Sequence, residues 1–425
     1  MTPVTGRVRL QSRSVLVLAA LLMVLVGVRR ELVGSMATAD CVALAALPMT
    51  WPTVRRQRLF SPLLVTAVLA ALTGLALSWL ADPDFSVMAS AQRNIILSLL
   101  GVPASAAAFV WAAQRLGTRG AALALSSGMV LDSMRLLGSS PNPWKFGVGA
   151  AVSLVVLVAA DRYGRLVQLA ALAALAATFL VSDARSSLAF LAITAGIVCW
   201  QAVAAWMRWQ PAQPRRLALT QVLALAAVGA TAVLGVLLAS STGSLGEDAQ
   251  ERTVAQASGP AGFLLAARPE LGGSWALFLS RPWGYGAGVM PRYEDVRVAK
   301  EGMAALGYDP ANGYVENFMF GNGFELHSGL ADVWIAGSLP GAALVLTVLW
   351  LTLLAMVRDL GSLRVTPWLC VASLVIVQNV LVGPWAVLPA YLPLVLGSAM
   401  VQAPLGGSGT GTPSRHPDSA LLVRS

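Results

Sequence analysis

Little in this chain of 425 residues is charged, and less still is of the kind that binds metals. Charged residues make up 12% of it, about half of the roughly 25% usual in globular domains. A large soluble domain is therefore excluded. Cysteine occurs three times, at Cys41, Cys199 and Cys370, each within an apolar stretch. This excludes a disulfide framework and a thiolate metal centre, and leaves small buried residues as the reading. Histidine occurs twice, at His327 and His416. With no second histidine near His327 and no carboxylate cluster at ligand spacing, no metal site is expected. The formal net charge of +9 would suggest nucleic acid in a soluble protein. In an apolar chain it is accounted for by basic loops on the cytoplasmic side of a membrane, so no nucleic-acid partner is expected.

What the chain has in quantity is apolar sequence: 57% hydrophobic residues and a mean hydropathy of +0.71. Apolar segments run over 14–30, 34–51, 60–81, 94–114, 119–137, 145–160, 165–182, 186–206, 217–240, 329–356, 364–382 and 385–402. A crossing needs about 20 such residues, so the expected fold is an all-α polytopic membrane protein of about twelve transmembrane helices. Arg7, Arg9 and Arg13 before the run 15–28 imitate a signal peptide, but no small-x-small cleavage context follows, and the run reads as an uncleaved first helix. Alternating the segments from a cytoplasmic N-terminus puts Arg55, Arg56, Arg58, Arg115, Arg119, Arg162, Arg165, Arg358 and Arg364 inside. Arg29 and Arg30 break that bias, and Arg135 and Lys145 also fall outside. Both termini are then cytoplasmic and the segment 241–326 is extracytoplasmic.

The transmembrane domain is expected to span 1–403, with 241–326 as a large outer loop carrying part of an active site. The Gly-, Ser-, Pro- and Thr-rich stretch 404–425 reads as a disordered cytoplasmic tail. The outer loop holds ten acidic and six basic residues, and loops of such length are commonly active-site lids. Within it, 247–255 suits a short helix, and Arg281-Pro282-Trp283-Gly284-Tyr285-Gly286-Ala287-Gly288 requires a turn-rich backbone that can approach something closely.

Four residues stand out for chemistry. Arg185 opens a helix beside the Ser186 and Ser187 hydroxyls. It reads either as an interfacial arginine paired with Asp183 or as a cation awaiting an anion, phosphate being the obvious one. Arg268 and Arg281 lie in the outer loop, as solvated arginines or as partners of Arg185. His327 ends the loop, where a neutral imidazole can take a proton from a hydroxyl, with Glu325 or Asp332 to orient it. Trp275 and Trp283 suit interfacial anchors or sugar platforms, and Tyr285 lies between the glycines of the turn.

Three segments together resemble the O-antigen ligase family of polytopic membrane glycosyltransferases and the related O-antigen polymerases. Ser182-x-x-Arg185-Ser186-Ser187-Leu188 is similar to that family's Ser/Arg segment. The turn 281–288 is similar to its Pro-hydrophobic-Gly-x-Gly-x-Gly turn, and the run from His327 to Gly341 to its His-Asn segment. The departures are Ser328, where the family carries Asn, and Arg268, which precedes Trp275 by seven residues in place of the family's closer pair. The resemblance implies a GT-C-like fold in a bacterial cytoplasmic membrane. It also implies metal-independent, cofactor-free inverting transfer of a glycan from a polyprenyl diphosphate at the outer face. Arg185 and Arg268 would bind the diphosphate and stabilise the leaving group, and His327 would activate the acceptor hydroxyl. Arg281, Ser186, Trp275, Trp283, Tyr285 and Glu325 would complete the substrate site. The acceptor would be a glycolipid, a glycan or a protein for a ligase, or another repeat unit for a polymerase. A transporter would also suit twelve helices, but no half-to-half repeat is seen and the polar candidates gather at one face.

Overall fold

In a computed structural model, residues 12–31, 36–81, 83–208, 219–221, 238, 242 and 268–402 are described. The expected span 217–240, the expected short helix 247–255 and the tail 404–425 lie wholly or almost wholly outside them. The described part is all-α: α1 (Arg13–Gly27), α2 (Thr38–Val54), α3 (Phe60–Trp79), α4 (Ala89–Ser133), α5 (Gly149–Ala160), α6 (Arg165–Val181), α7 (Arg185–Trp206), α8 (Glu270–Ser280), α9 (Tyr293–Ala304), α10 (Gly329–Gly361), α11 (Pro367–Val382) and α12 (Leu388–Gln402). Its β structure is confined to two isolated antiparallel bridges, Glu31 with Ala37 and Val87 with Val289. Five stretches are long and apolar enough to cross a membrane: 60–79, 89–137, 185–206, 329–361 and 385–402. Shorter apolar helices cover 13–27, 144–160, 165–181 and 367–382.

α4 is the centre of the bundle, and α1, α2, α3, α5 and α12 pack on it. It is broken at Gly117 (φ 74°, ψ 157°). Residues 91–98 before the break and 129–136 after it line one cavity, so the chain doubles back there, as the two separate apolar segments 94–114 and 119–137 require. The first arm is buried almost throughout 98–113. Small residues let backbones meet, the usual device where lipid removes the hydrophobic drive between helices. A Cβ on Gly27 would lie 2.2 Å from Leu125 O, and one on Gly128 2.1 Å from Val24 O.

The upper end of the bundle is the one that carries His327. Helices α3, α6 and α11 finish there, and α4, α7, α10 and α12 begin there. At the lower end Arg119 pairs with Asp161 at 2.7 Å, tying the Gly117 reversal to the α5–α6 turn. Arg29 at the upper end has a plain role: its guanidinium grips buried Asp40 on α2 through both nitrogens, at 2.9 and 3.3 Å.

The region 268–326 is more ordered than its expected character as a lid. α8 and α9 pack so closely that a Cβ on Gly272 would lie 2.3 Å from Gly302 O. Asp295 accepts from the Arg292 backbone N–H at 2.9 Å and so caps the start of α9. Leu277, Met303, Met319, Phe320, Leu326 and Trp334 form a second core under these helices, against the first turns of α10.

The glycine turn joins this region to the bundle. α10 breaks at Ser338 (φ 58°, ψ −153°), just before Pro340, which leaves the Ile335 carbonyl without its helical donor. Tyr285 N and Gly286 N donate to it at 2.8 and 3.0 Å, and Ala287 N donates to Gly74 O of α3 at 3.0 Å. A buried carbonyl left unpaired in lipid costs several kcal/mol, which is why an irregular segment is tolerated at this depth. Gly286 has φ 113°, and a Cβ there would lie 2.7 Å from Ser78 N. Gly286→Ala is therefore expected to lower the melting temperature in detergent markedly, by roughly 1–3 kcal/mol of backbone strain plus the clash. Gly196→Ala, within α7 with open space around it, is expected to be neutral or slightly stabilising. Equal melting temperatures for the two variants would contradict this account.

Candidate functional site

The upper end is organised by the carboxylate of Asp332, in the first turn of α10. It accepts from Leu326 N at 2.6 Å and from Trp385 N at 2.8 Å. One oxygen thus fixes the residue before His327, and the other fixes the α11–α12 connection. Ser328 caps α10: its hydroxyl accepts from Ala331 N at 3.4 Å and donates to Val380 O at 3.2 Å. Asp332 does not orient the histidine ring, as was expected of it or of Glu325. The Glu325 backbone carbonyl does that instead.

His327 is held with φ 53°, a left-handed conformation that costs a non-glycine residue of order 1–3 kcal/mol. Its Nδ1 lies 3.1 Å from Glu325 O. A carbonyl only accepts, so Nδ1 carries the hydrogen and the neutral ring leaves its lone pair on Nε2. The ring packs on Tyr314, with centroids 6.0 Å apart. The Tyr314 hydroxyl donates to Glu270 Oε1 at 2.8 Å, while Glu270 Oε2 is buried without a partner. The Tyr314 pKa is raised, first by burial, then by the hydrogen bond to Glu270 and that carboxylate's charge, whereas the nearby Arg268 cation pulls it down. His327 thus packs on Tyr314, and the Arg268 charge acts on the same phenol from further off. Tyr314 and Glu270 went unmarked in the sequence.

The other expected residues are placed differently. Arg185 begins α7, and its Nε bonds Asp183 Oδ1 at 3.1 Å with the side chain 53% exposed. Lys145 adds a second cation 3.6 Å from Asp183. The hydrogen bond from Arg185 comes first in holding the Asp183 pKa below the ordinary carboxylate value. Ser186 is exposed beside it. The middle of α7 packs on Leu360, Val365 and Cys370 near the lower end, so Arg185 lies towards the upper end. None of the contacts among the described residues joins it to Arg268 or His327.

Arg281 lies over Phe85 at 4.9 Å and over Tyr285 at 5.2 Å, and Arg292 lies over Phe85 at 3.8 Å. Tyr285, expected to line a substrate site, is 1% exposed. Its hydroxyl donates to Asp295 Oδ1 at 3.1 Å, which makes it a core residue. The reason is the turn itself, which inserts Tyr285 between α10 and Phe324 (ring centroids 4.6 Å). Trp275 and Trp283 are 62% and 66% exposed and free to meet lipid or ligand.

Behind the loop 322–325 lies a cavity of ≈ 520 Å³ that opens at the upper end between α1, α4, α5 and α12. Of the residues singled out in the sequence, Glu325 and Asp332 line it. Arg29, Asn94, Asp132, Arg135 and Asn322 also do. Two of these, Arg29 and Arg135, were visible in the sequence only as cations on the wrong side of the charge bias. Among the described residues no group of three or more His, Cys, Asp or Glu side chains is arranged to hold a metal ion.

No protein-family model, curated protein or solved structure matches the chain. Fold and composition define an all-α, multi-span membrane protein.

Asp332→Ala is expected to destabilise the protein strongly, because each buried N–H left without an acceptor costs roughly 1–3 kcal/mol. Asp332→Asn, which keeps one acceptor oxygen, should lose less. Thermal unfolding of the purified variants checks the order, and Asp332→Ala melting with the wild type would contradict it.

Proposed function

We propose that the protein is a GT-C-like membrane glycosyltransferase of about twelve spans in a bacterial cytoplasmic membrane. It moves a glycan from a polyprenyl diphosphate to an acceptor hydroxyl at the outer face, which is the upper end. The observation that carries this reading is the His327 ring, held by the Glu325 carbonyl and packed on Tyr314, whose hydroxyl is paired with Glu270 and lies within electrostatic reach of Arg268. A histidine whose Nε2 holds the lone pair is a base for a hydroxyl, and an arginine is a ligand for an anionic leaving group.

In this reading the acceptor oxygen attacks the anomeric carbon as the bond from that carbon to the diphosphate oxygen breaks. A single displacement inverts the anomeric configuration. The acceptor proton passes to His327 Nε2, and the polyprenyl diphosphate leaves with its added charge held by Arg268. The Tyr314–Glu270 pair positions both groups: Glu270 draws the phenol, and the phenol's face supports the imidazole. Arg185 reaches the diphosphate by exchanging the Asp183 carboxylate, an exposed partner, for the ligand. Exposed Trp275 and Trp283 suit the headgroup level of the outer leaflet, where the carrier presents its phosphates.

With protein reconstituted in liposomes and a polyprenyl-diphosphate glycan as donor, His327→Ala and Arg268→Ala are expected to reduce transfer by roughly 100-fold or more. His327→Gly, which suits the positive φ, should fold as well as the wild type and be as inactive as His327→Ala. Full transfer by both the His327 and Arg268 variants would overturn the proposal. Chain growth from the lipid-linked repeat alone would mark a polymerase, and dependence on a second acceptor would mark a ligase.

A further inference from the structure

The cavity between α1, α4, α5 and α12 differs in chemistry from the Arg268–His327 group. Its two arginines are already engaged: Arg29 is bound through both nitrogens to Asp40, and Arg135 lies 3.5 Å from Asp132. Four carboxylates line it against those two cations: Glu31, Asp132, Glu325 and Asp332. Asp332 is consumed by two backbone N–H groups, but Asp132 Oδ1 is buried with no partner. Asn94 and Asn322 line the same space. Glu31, Asp132 and Glu325, set against two cations that are already paired, disfavour a phosphate. Free carboxylate oxygens and amides, with the rings of Phe146, Phe324 and Trp385 between them, suit a ligand made of adjacent hydroxyls on an apolar ring face. The volume of ≈ 520 Å³ falls within the roughly 300–1,000 Å³ of small-ligand sites.

We infer that this cavity binds a neutral sugar of the acceptor, with Asp132, Asn94 and Asn322 taking its hydroxyls. The inference deepens the glycosyl-transfer reading and rests on it for the word acceptor; the sugar site itself stands on the cavity. The geometry links the two places. The loop 322–325 forms one wall of the cavity, and the Glu325 carbonyl at its end holds the His327 ring. A sugar in the cavity therefore lies against the loop that ends in His327. Asp132 lines the cavity with Oδ2 3.5 Å from Arg135 and Oδ1 without a partner.

The test uses the full chain in nanodiscs and saturation-transfer-difference NMR. The probes are neutral disaccharides of galactose, mannose, glucose and rhamnose, with glucose 1-phosphate and glucosamine as charged comparisons. At least one neutral disaccharide is expected to receive saturation from the protein. That signal is expected to fall at least tenfold in Asp132→Ala and in Ala150→Leu, which narrows the cavity from α5, and less in Asp132→Asn. It should persist in His327→Ala. Matching melting temperatures identify variants that fold, and Asp132→Asn and Ala150→Leu serve if Asp132→Ala does not. No signal from any neutral probe, a signal unchanged in the folded cavity variants, or binding of the phosphate or the amine alone would overturn the inference. Loss of glycosyl transfer as an activity would leave a neutral-sugar signal in place, so the two readings fail separately.

Discussion

The Asp332 carboxylate joins the loop that ends in His327 to the α11–α12 connection. It sits one turn into α10, where the positive end of the helix favours a negative charge, and it takes the backbone N–H groups of Leu326 and Trp385. Both donors lie at the boundary of a membrane bundle, where water is scarce and an unpaired amide is expensive. The arrangement sets the register of the loop that ends in His327 and the place of Trp385, whose indole N–H donates to Ser98 on α4 at 3.0 Å. The candidate base, one cavity wall and the helix at the centre of the fold are thus tied through a single side chain.

The glycine turn plays the complementary part from the other direction. A helix broken at Ser338 exposes carbonyls, and the turn 284–287 supplies the missing donors while α3 receives the next one. Irregular backbone is thereby admitted deep in the structure without leaving polar groups in an apolar medium. This explains why α8 and α9 are fixed to the bundle and do not simply cover it. It also explains why Tyr285 is a packing residue: the turn that carries it is an internal support. Arg268 and Glu270, at the start of α8, inherit their positions from that support.

The bundle was largely legible in the sequence because lipid demands long apolar runs, and those runs mark helices directly. The reversal at Gly117 was legible for the same reason, with Arg115 and Arg119 on either side of it. The ordered helices at 270–280 and 293–304 were not. Gly272 and Gly273 weaken the helical signal of the first, and the second is polar, so their stability comes from packing on each other and on Trp334 rather than from local preference. His327 and Arg268 could be picked out by their scarcity. Tyr314 and Glu270 could not, since one tyrosine and one glutamate in a polar loop carry no local mark. The cavity was hinted at by cations against the charge bias, but the Arg29–Asp40 pairing that explains one of them is a tertiary fact.

The central claim is that the Arg268–Tyr314–His327 group handles the charged end of a lipid-linked glycan. A cryo-electron-microscopy structure of the reconstituted protein with undecaprenyl diphosphate bound tests it most directly. The account predicts phosphate oxygens within hydrogen-bond distance of Arg268, with His327 Nε2 facing the side from which an acceptor would approach. Density for the diphosphate at the lower end of the bundle, or at the upper end but away from both Arg268 and Arg185, would contradict it.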